Sequence, residues 1–484
     1  MRSRSGVSRR ELLRAAAVAG LGGLAAAACG PLFTAPAPTA TSTTGFREPP
    51  VRASGNGLLD ISLEARETTA TIAGRAAVAY TYEGTMPGPT LRLRPGDRVR
   101  IRLVNRLGEP TNLHFHGLHV PPTGSADNPF VEVQPGEAFQ YDFALPRDHP
   151  AGTFWYHPHV HGRVADQVFR GLVGAIIVEG DLDQVPAVAA ASERLLILKD
   201  TTLDAQGRVP PPNMMDLMAG REGALVTVNG ALGSRLELRP GEVQRWRLVN
   251  TSNARYYLLR LAGHRLLQIA GDGGPLPAPV SLETLLLPPA KRAEVLVQAA
   301  APGSYGLAAL PYDRGAMMGM MGGAASAEVR LLELVVGGDQ LAGRLADNLP
   351  RVEDLSGDPV AARRQLVLSE AMGGPGGMVF MIDGRVFDHE RVDIRSRLGT
   401  IEEWTVRNDA DMDHTFHLHT NPFRVVATNG QTTAFRGWED TVNIRAGESV
   451  TLRIRFRDFP GRTVYHCHIL EHEDLGMMGV VEVT

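Results

Sequence analysis

One frame occurs three times along this chain, and that repetition constrains the fold more than any other feature. Leu93-Arg94-Pro95-Gly96 is followed nine residues after its glycine by Asn105. Leu238-Arg239-Pro240-Gly241 is followed at the same distance by Asn250, and Gly399 by Asn408. The intervening residues, Val99 to Val104, Trp246-Arg247-Leu248-Val249 and Trp404-Thr405-Val406, read as strands after a turn. The asparagines stand 145 and 158 residues apart, about the length of one β-sandwich with its connections. At 484 residues the chain is too long for one ordinary domain, and its 53 glycines and 33 prolines suit short strands joined by many turns. The expected fold is all-β, with three consecutive Greek-key sandwiches over residues 58–182, 190–345 and 360–484.

Nine residues beyond each asparagine the copies diverge in chemistry. Asn105 leads to His114-Phe115-His116 and Asn408 to His417-Leu418-His419, but Asn250 leads to Leu259-Arg260-Leu261. A second frame behaves likewise. Five residues after Gly152 comes His157-Pro158-His159, after Gly461 His466-Cys467-His468, and after Gly303 Ala308-Ala309-Leu310. Residues i and i+2 of a strand share a face, so each His-x-His aims two imidazoles at one place. Four pairs from the outer domains can converge as eight histidines at a shared interface. Imidazole accepts copper, zinc, iron or nickel, so the histidines alone do not name the metal. Cys467 does. Its thiolate points away from His466 and His468, with His472 five residues on, Met477 five further, and His414 three before His417. One Cys, two His and a weak Met form the ligand set of a blue copper electron-transfer centre. Ten of the 15 histidines fall in these frames, too many for chance. His119, His149, His161, His264 and His389 read as structural or surface residues.

The segments Asn112–Gly117, Phe154–Gly162, His414–His419 and Tyr465–Met478 resemble the four copper signatures of multicopper oxidases. Val226–Gly230, Ile382–Arg385 and Trp438–Val442 resemble family segments outside the sites, and the similarity runs from about residue 58 to the end. The resemblance implies three cupredoxin-like domains and four copper ions per chain. Type 1 copper would sit on His414, Cys467, His472 and Met477, and type 2 copper on His114 and His417. The type 3 pair would take His116, His157, His159, His419, His466 and His468. It implies an enzyme that takes electrons singly at type 1 copper and reduces dioxygen to water at the other three ions. Asp127 and Glu473 resemble the family's proton-relay carboxylates; the alternative is plain surface acids. Thr420 departs from the family's usual glycine, which puts the local turn in question. Some relatives lose copper ligands and serve as structural or division-associated proteins, whereas this sequence keeps every expected ligand. A copper store would have no use for the His466-Cys467-His468 bridge, and copper nitrite reductases have two domains per chain rather than three.

The electron donor is expected to be cuprous ion, with phenols as the alternative. Met317, Met318, Met320 and Met321 stand in a glycine-flanked loop, 313–323, at the end of the middle domain, and thioethers suit cuprous ion. Met214, Met215 and Met218 form a second cluster, and Asp411, Met412 and Asp413 precede His414, where they could hold a cation. The competing reading is that methionines fill gaps in the packing. A net charge of -4 gives no reason to expect nucleic acid as partner. Residues 1–30 read as an export leader: Ser8-Arg9-Arg10-Glu11-Leu12-Leu13 resembles a twin-arginine signal, and the apolar run Ala15 to Ala28 is too short to span a bilayer. The twin-arginine machinery is then a partner, and the destination is periplasmic or otherwise extracytoplasmic. Ala26-Ala27-Ala28-Cys29 resembles a lipoprotein cleavage site; Cys29 is either a lipid anchor or incidental to an ordinary leader. Residues 31–57 read as an extended tether rich in proline, threonine and alanine.

Overall fold

The structure is a computed structural model, and it describes residues 45–315, 327–374 and 377–484. The leader with Cys29, most of the tether, and Met317, Met318, Met320 and Met321 lie outside the described residues.

Three β-sandwiches follow one another, each made of two sheets: five and four strands in the first, six and five in the second and in the third. In each module the strand ending at the repeat asparagine pairs in parallel with the long strand that opens the domain. Arg98–Asn105 lies beside Leu58–Ile72, Val243–Asn250 beside Ser192–Thr201, and Thr400–Asn408 beside Ala362–Met372. A parallel pair needs a crossover between sheets, so the same Greek-key path is traced three times.

The asparagine is fixed by hydrogen bonding. The buried Asn105 amide donates to the Glu109 and Val133 carbonyls, both at 2.8 Å, while its oxygen accepts from Leu107 N–H at 2.8 Å. Asn250 does the same with Arg255, Leu287 and Ser252. Asn408 does so with Met412, Ile444 and Ala410. Two donors and an acceptor on one short side chain staple the strand end to the segment that leads to the next strand. In the outer domains that next strand carries histidines.

The strands of the two histidine frames are neighbours. His114–His116 pairs antiparallel with Gly152–His157, setting His114 opposite His157, and His414–Leu418 pairs with Gly461–Cys467, setting His417 opposite His466. In the middle domain Tyr257–Leu261 meets Gly303–Leu310 antiparallel as well, one residue out of the outer domains' register, with Leu259 opposite Ala309. There Leu259 and Leu261 are buried in the domain's own core. The shared frame thus builds packing in one domain and ligands in the others.

The histidine faces are held together by buried polar contacts between domains. Arg245 and Arg247 of the middle domain meet Glu294, which also accepts from Thr153 of the first domain at 2.7 Å. The helix Leu470–Asp474 of the third domain is tied on two sides. Glu471 accepts from Arg221 and Asn253 of the middle domain, and Asp474 accepts from the Gly162 and Ala165 N–H groups of the first. Thr420, where glycine was expected, has φ +63°, a left-handed conformation unusual for a β-branched residue. The turn is therefore kept in spite of the side chain. At the matching Gly117 a Cβ would meet Arg292 and Asp440 at under 3.0 Å, so there the glycine is required.

Candidate metal centre

The eight histidines of the two outer domains form one buried cage. The rings of His114 and His419 stack at 3.7 Å, and those of His116 and His417 at 3.8 Å, so the domains interleave ring on ring. The Nε2 atoms of His159 and His419 lie 3.2 and 3.1 Å from that of His466. His468 lies 5.0 Å from His116 and 5.4 Å from His157, centroid to centroid. Burial drives most of these rings well below the ordinary histidine range, and brings His159 down to about 4. The neutral form that results is the form that binds metal.

The pattern of hydrogen bonds tests whether copper fits. His114 Nδ1 lies 2.9 Å from Asp127, His157 Nδ1 donates to the Pro158 carbonyl, His466 Nδ1 to Cys467 O, and His417 Nδ1 to Asp440 O at 2.7 Å. His116 is held at Nε2, 3.0 Å from the Asp440 carboxylate. The other nitrogens, His114 Nε2, His116 Nδ1, His157 Nε2, His417 Nε2 and both of His468, are buried without a partner among the described residues. One unmet buried polar atom costs about 1–3 kcal/mol, so a cage lined with them is built for a metal. Anchoring one ring nitrogen so that the other faces the ion is the usual outer support of a histidine ligand.

Both expected relay carboxylates lie against this cage. Asp127 accepts from His114 and from Phe115 N–H at 2.9 Å. The oxygens of Glu473 lie 3.3 Å from His159 Nε2 and 3.0 Å from His466 Nδ1. The His466 N–H itself points at Cys467 O, so neither Glu473 oxygen accepts a hydrogen bond. Burial pushes both carboxyls up to about 7 in the metal-free protein, and a nearby cation would pull them down again. Asp127→Asn keeps an acceptor for Phe115 but weakens the hold on His114. The expected outcome is copper lost from the cage with about 10- to 100-fold weaker affinity, with the blue absorbance retained. Copper titration checks it.

The second site lies beyond Cys467. Its Sγ is 3.3 Å from His414 Nδ1, which is 3.3 Å from His472 Nδ1. His472 Nε2 donates to the Met218 carbonyl at 3.0 Å, and its ring stacks on Phe380 at 3.9 Å. Burial pushes the thiol up to about 12, so a metal must displace the proton. Met477 is fully buried in the same core as Cys467, and its backbone carbonyl accepts from Cys467 N–H at 3.0 Å. Cys467 is one peptide unit from His466 and one from His468, so the two sites are joined covalently in both directions.

Models of multicopper oxidase domains match residues 64–183, 192–327 and 360–484, spanning most of the chain. The chain belongs to the multicopper oxidase family. It is 29% identical to "Multicopper oxidase mco" of Staphylococcus aureus, over 89% of each chain. It is also 31% identical to "Cell division protein FtsP" of Yersinia pestis, over 98% of each. Among solved structures it resembles a multicopper oxidase of Campylobacter jejuni described as a metallo-oxidase. That match has a TM-score of 0.81 and 33% identity, covering 90% of this chain and 94% of that one. A laccase-like multicopper oxidase of Ochrobactrum matches at TM-score 0.78 and 27% identity, over 90% and 99%.

The cation-holding residues expected before His414 do not share one open site. Met412 is buried in the core. The Asp413 carboxylate is occupied by Tyr312 Oη at 2.7 Å and by Asn443 at 2.9 Å, while Asp411 is exposed. Met214 and Met215 are exposed and Met218 is buried. Three functional residues escaped the sequence reading. Asp440 binds two cage histidines and Arg292, and it lies in a segment read only as family-like. Arg292 comes from the middle domain, which carries no His-x-His pair. Glu370 places Oε2 4.0 Å from His414 Nε2. Nothing in the spacing marks Arg292 or Glu370.

Proposed function

We propose that this multicopper oxidase takes electrons one at a time at the His414–Cys467–His472 site and reduces dioxygen to water in the histidine cage, with cuprous ion as the donor. Bound copper supplies the one-electron chemistry at the first site and the place where oxygen is reduced at the second. The chain supplies the rest. Cys467 joins the two sites through single peptide bonds. Asp127 and Asp440 orient ring nitrogens, and Asp127 and Glu473 are the carboxyls placed to hold or release a proton at His114 and at His159 and His466. The single observation that carries this reading is the pairing of His417 with His466, one residue from Cys467.

Three observations support cuprous ion as the donor. The described stem of the methionine loop lies along the segment before His414: Asp413 N–H donates to Arg314 O at 2.7 Å, and Gly315 bridges to Met412. The Glu370 oxygen that faces His414 Nε2, like that nitrogen, has no hydrogen-bond partner among the described residues, an arrangement that suits an arriving cation. The solved relative described as a metallo-oxidase agrees with it. Deleting Met317 to Met321 is expected to lower the turnover of cuprous ion at least tenfold while phenol turnover changes less than about twofold. Steady-state oxygen consumption with each donor checks this. Equal loss with both, or no loss with either, would remove the loop from the donor site and leave phenols as the better reading. The reading includes export by the twin-arginine route, with Cys29 as a lipid anchor where the leader is cut before it.

A further inference from the structure

We infer that Arg314 is a positioning residue that raises the reduction potential of the type 1 site by holding a fixed positive charge beside it. This rests on the type 1 reading of His414, Cys467 and His472.

Arg314 is fastened to both segments that orient the two histidines. Its carbonyl accepts the N–H of Asp413, the residue before His414, at 2.7 Å. Its guanidinium turns the other way and donates to the Ala219 carbonyl. Ala219 follows Met218, whose carbonyl holds His472 Nε2 at 3.0 Å. The backbone leaves little slack, since a Cβ on the neighbouring Gly315 would lie 2.5 Å from Asp411 O. The guanidinium is therefore placed by main-chain contacts at both ends.

Its charge is poorly neutralised. The nearest carboxylate is Glu222, at 3.4 Å, and Glu222 is shared with Arg255 at 3.3 Å. Arg314 Nη1 is buried with no partner among the described residues. Glu370 reaches the site from the other side, at His414 Nε2, and is not paired with Arg314. A centre that gains positive charge on oxidation is opposed by a fixed cation held close by, so the guanidinium disfavours its oxidised form.

The test is redox titration of the blue band in copper-loaded protein. Arg314→Gln is expected to shift the reduction equilibrium about tenfold toward the oxidised form, a fall of about 59 mV for a one-electron couple. Arg314→Lys, which keeps the charge, should restore at least half of that. Glu222→Gln removes the counter-charge and should shift the potential upward, opposite in sign to Arg314→Gln, so it decides the matter even where Arg314→Gln does not fold. The inference is overturned by an unchanged or raised potential in Arg314→Gln, by Arg314→Lys falling as far as Arg314→Gln, or by Glu222→Gln lowering the potential. Failure of the underlying reading looks different: the wild-type protein would then show no blue band to titrate.

Discussion

Cys467→Ser is expected to abolish oxygen consumption with every donor while the histidine cage keeps its copper. Serine preserves the shape of the core around residue 467, which is buried among Phe416, Ile469 and Met477, so the fold should survive. Its hydroxyl is a hard, poorly acidic ligand and cannot replace a thiolate as partner to His414 and His472. The blue colour should vanish and copper should fall by one ion per chain. On the proposed route electrons would then have no entry to the cage, because Cys467 would be both a ligand and the covalent neighbour of His466 and His468. Metal analysis with oxygen-electrode assays checks this, and turnover persisting in a colourless variant would refute the route through the thiolate.

Asp440→Ala is expected to have the largest effect on stability. The carboxylate is buried and accepts from the fully buried Arg292, at 2.8 Å for Nη1 to Oδ1, while lying 3.0 Å from His116 Nε2. Removing it leaves the guanidinium with the Asp272 carboxylate alone, at 3.3 Å and shared with Lys291, at a three-domain junction, a loss of up to about 3–5 kcal/mol. It also frees His116, so copper in the cage should bind more weakly. Burial alone would raise this carboxyl, but Arg292, followed by His116, holds it well below the usual carboxylate range. The sign follows from that shift. The stability it contributes is complete above the unfolded value of about 3.9 and is lost as pH falls below that toward the depressed folded value. Denaturant unfolding at several pH values, for wild type and variant, should therefore converge in strong acid. A constant difference down to that range would contradict the charge pairing.

The histidines of the cage could be read from the sequence as candidate ligands because they stand in register with a repeat that has its own structural cause. Asn105, Asn250 and Asn408 each make the same three hydrogen bonds, so nine residues on from each marks an equivalent place in each fold. The supports of those ligands obey no such register. Asp440 meets His116 from 324 residues away, and Arg292 reaches Asp440 from the middle domain, which lacks the paired histidines. Contacts across domain interfaces leave no periodic trace in one chain. Asp411, Met412 and Asp413, expected to hold a cation before His414, do not face one place, and the reason is local. Neighbouring residues of an extended segment point to opposite sides, so Met412 enters the core, while Asp413 is taken by Tyr312 and Asn443.

We propose that two related domains enclose three copper ions joined through one cysteine to a fourth. Anomalous diffraction at the copper edge, from crystals of copper-loaded protein, tests it most directly. One peak is expected among His414, Cys467 and His472, and three within the cage of eight histidines. A loaded protein with no peak at Cys467, or with a single ion in the cage, would contradict it.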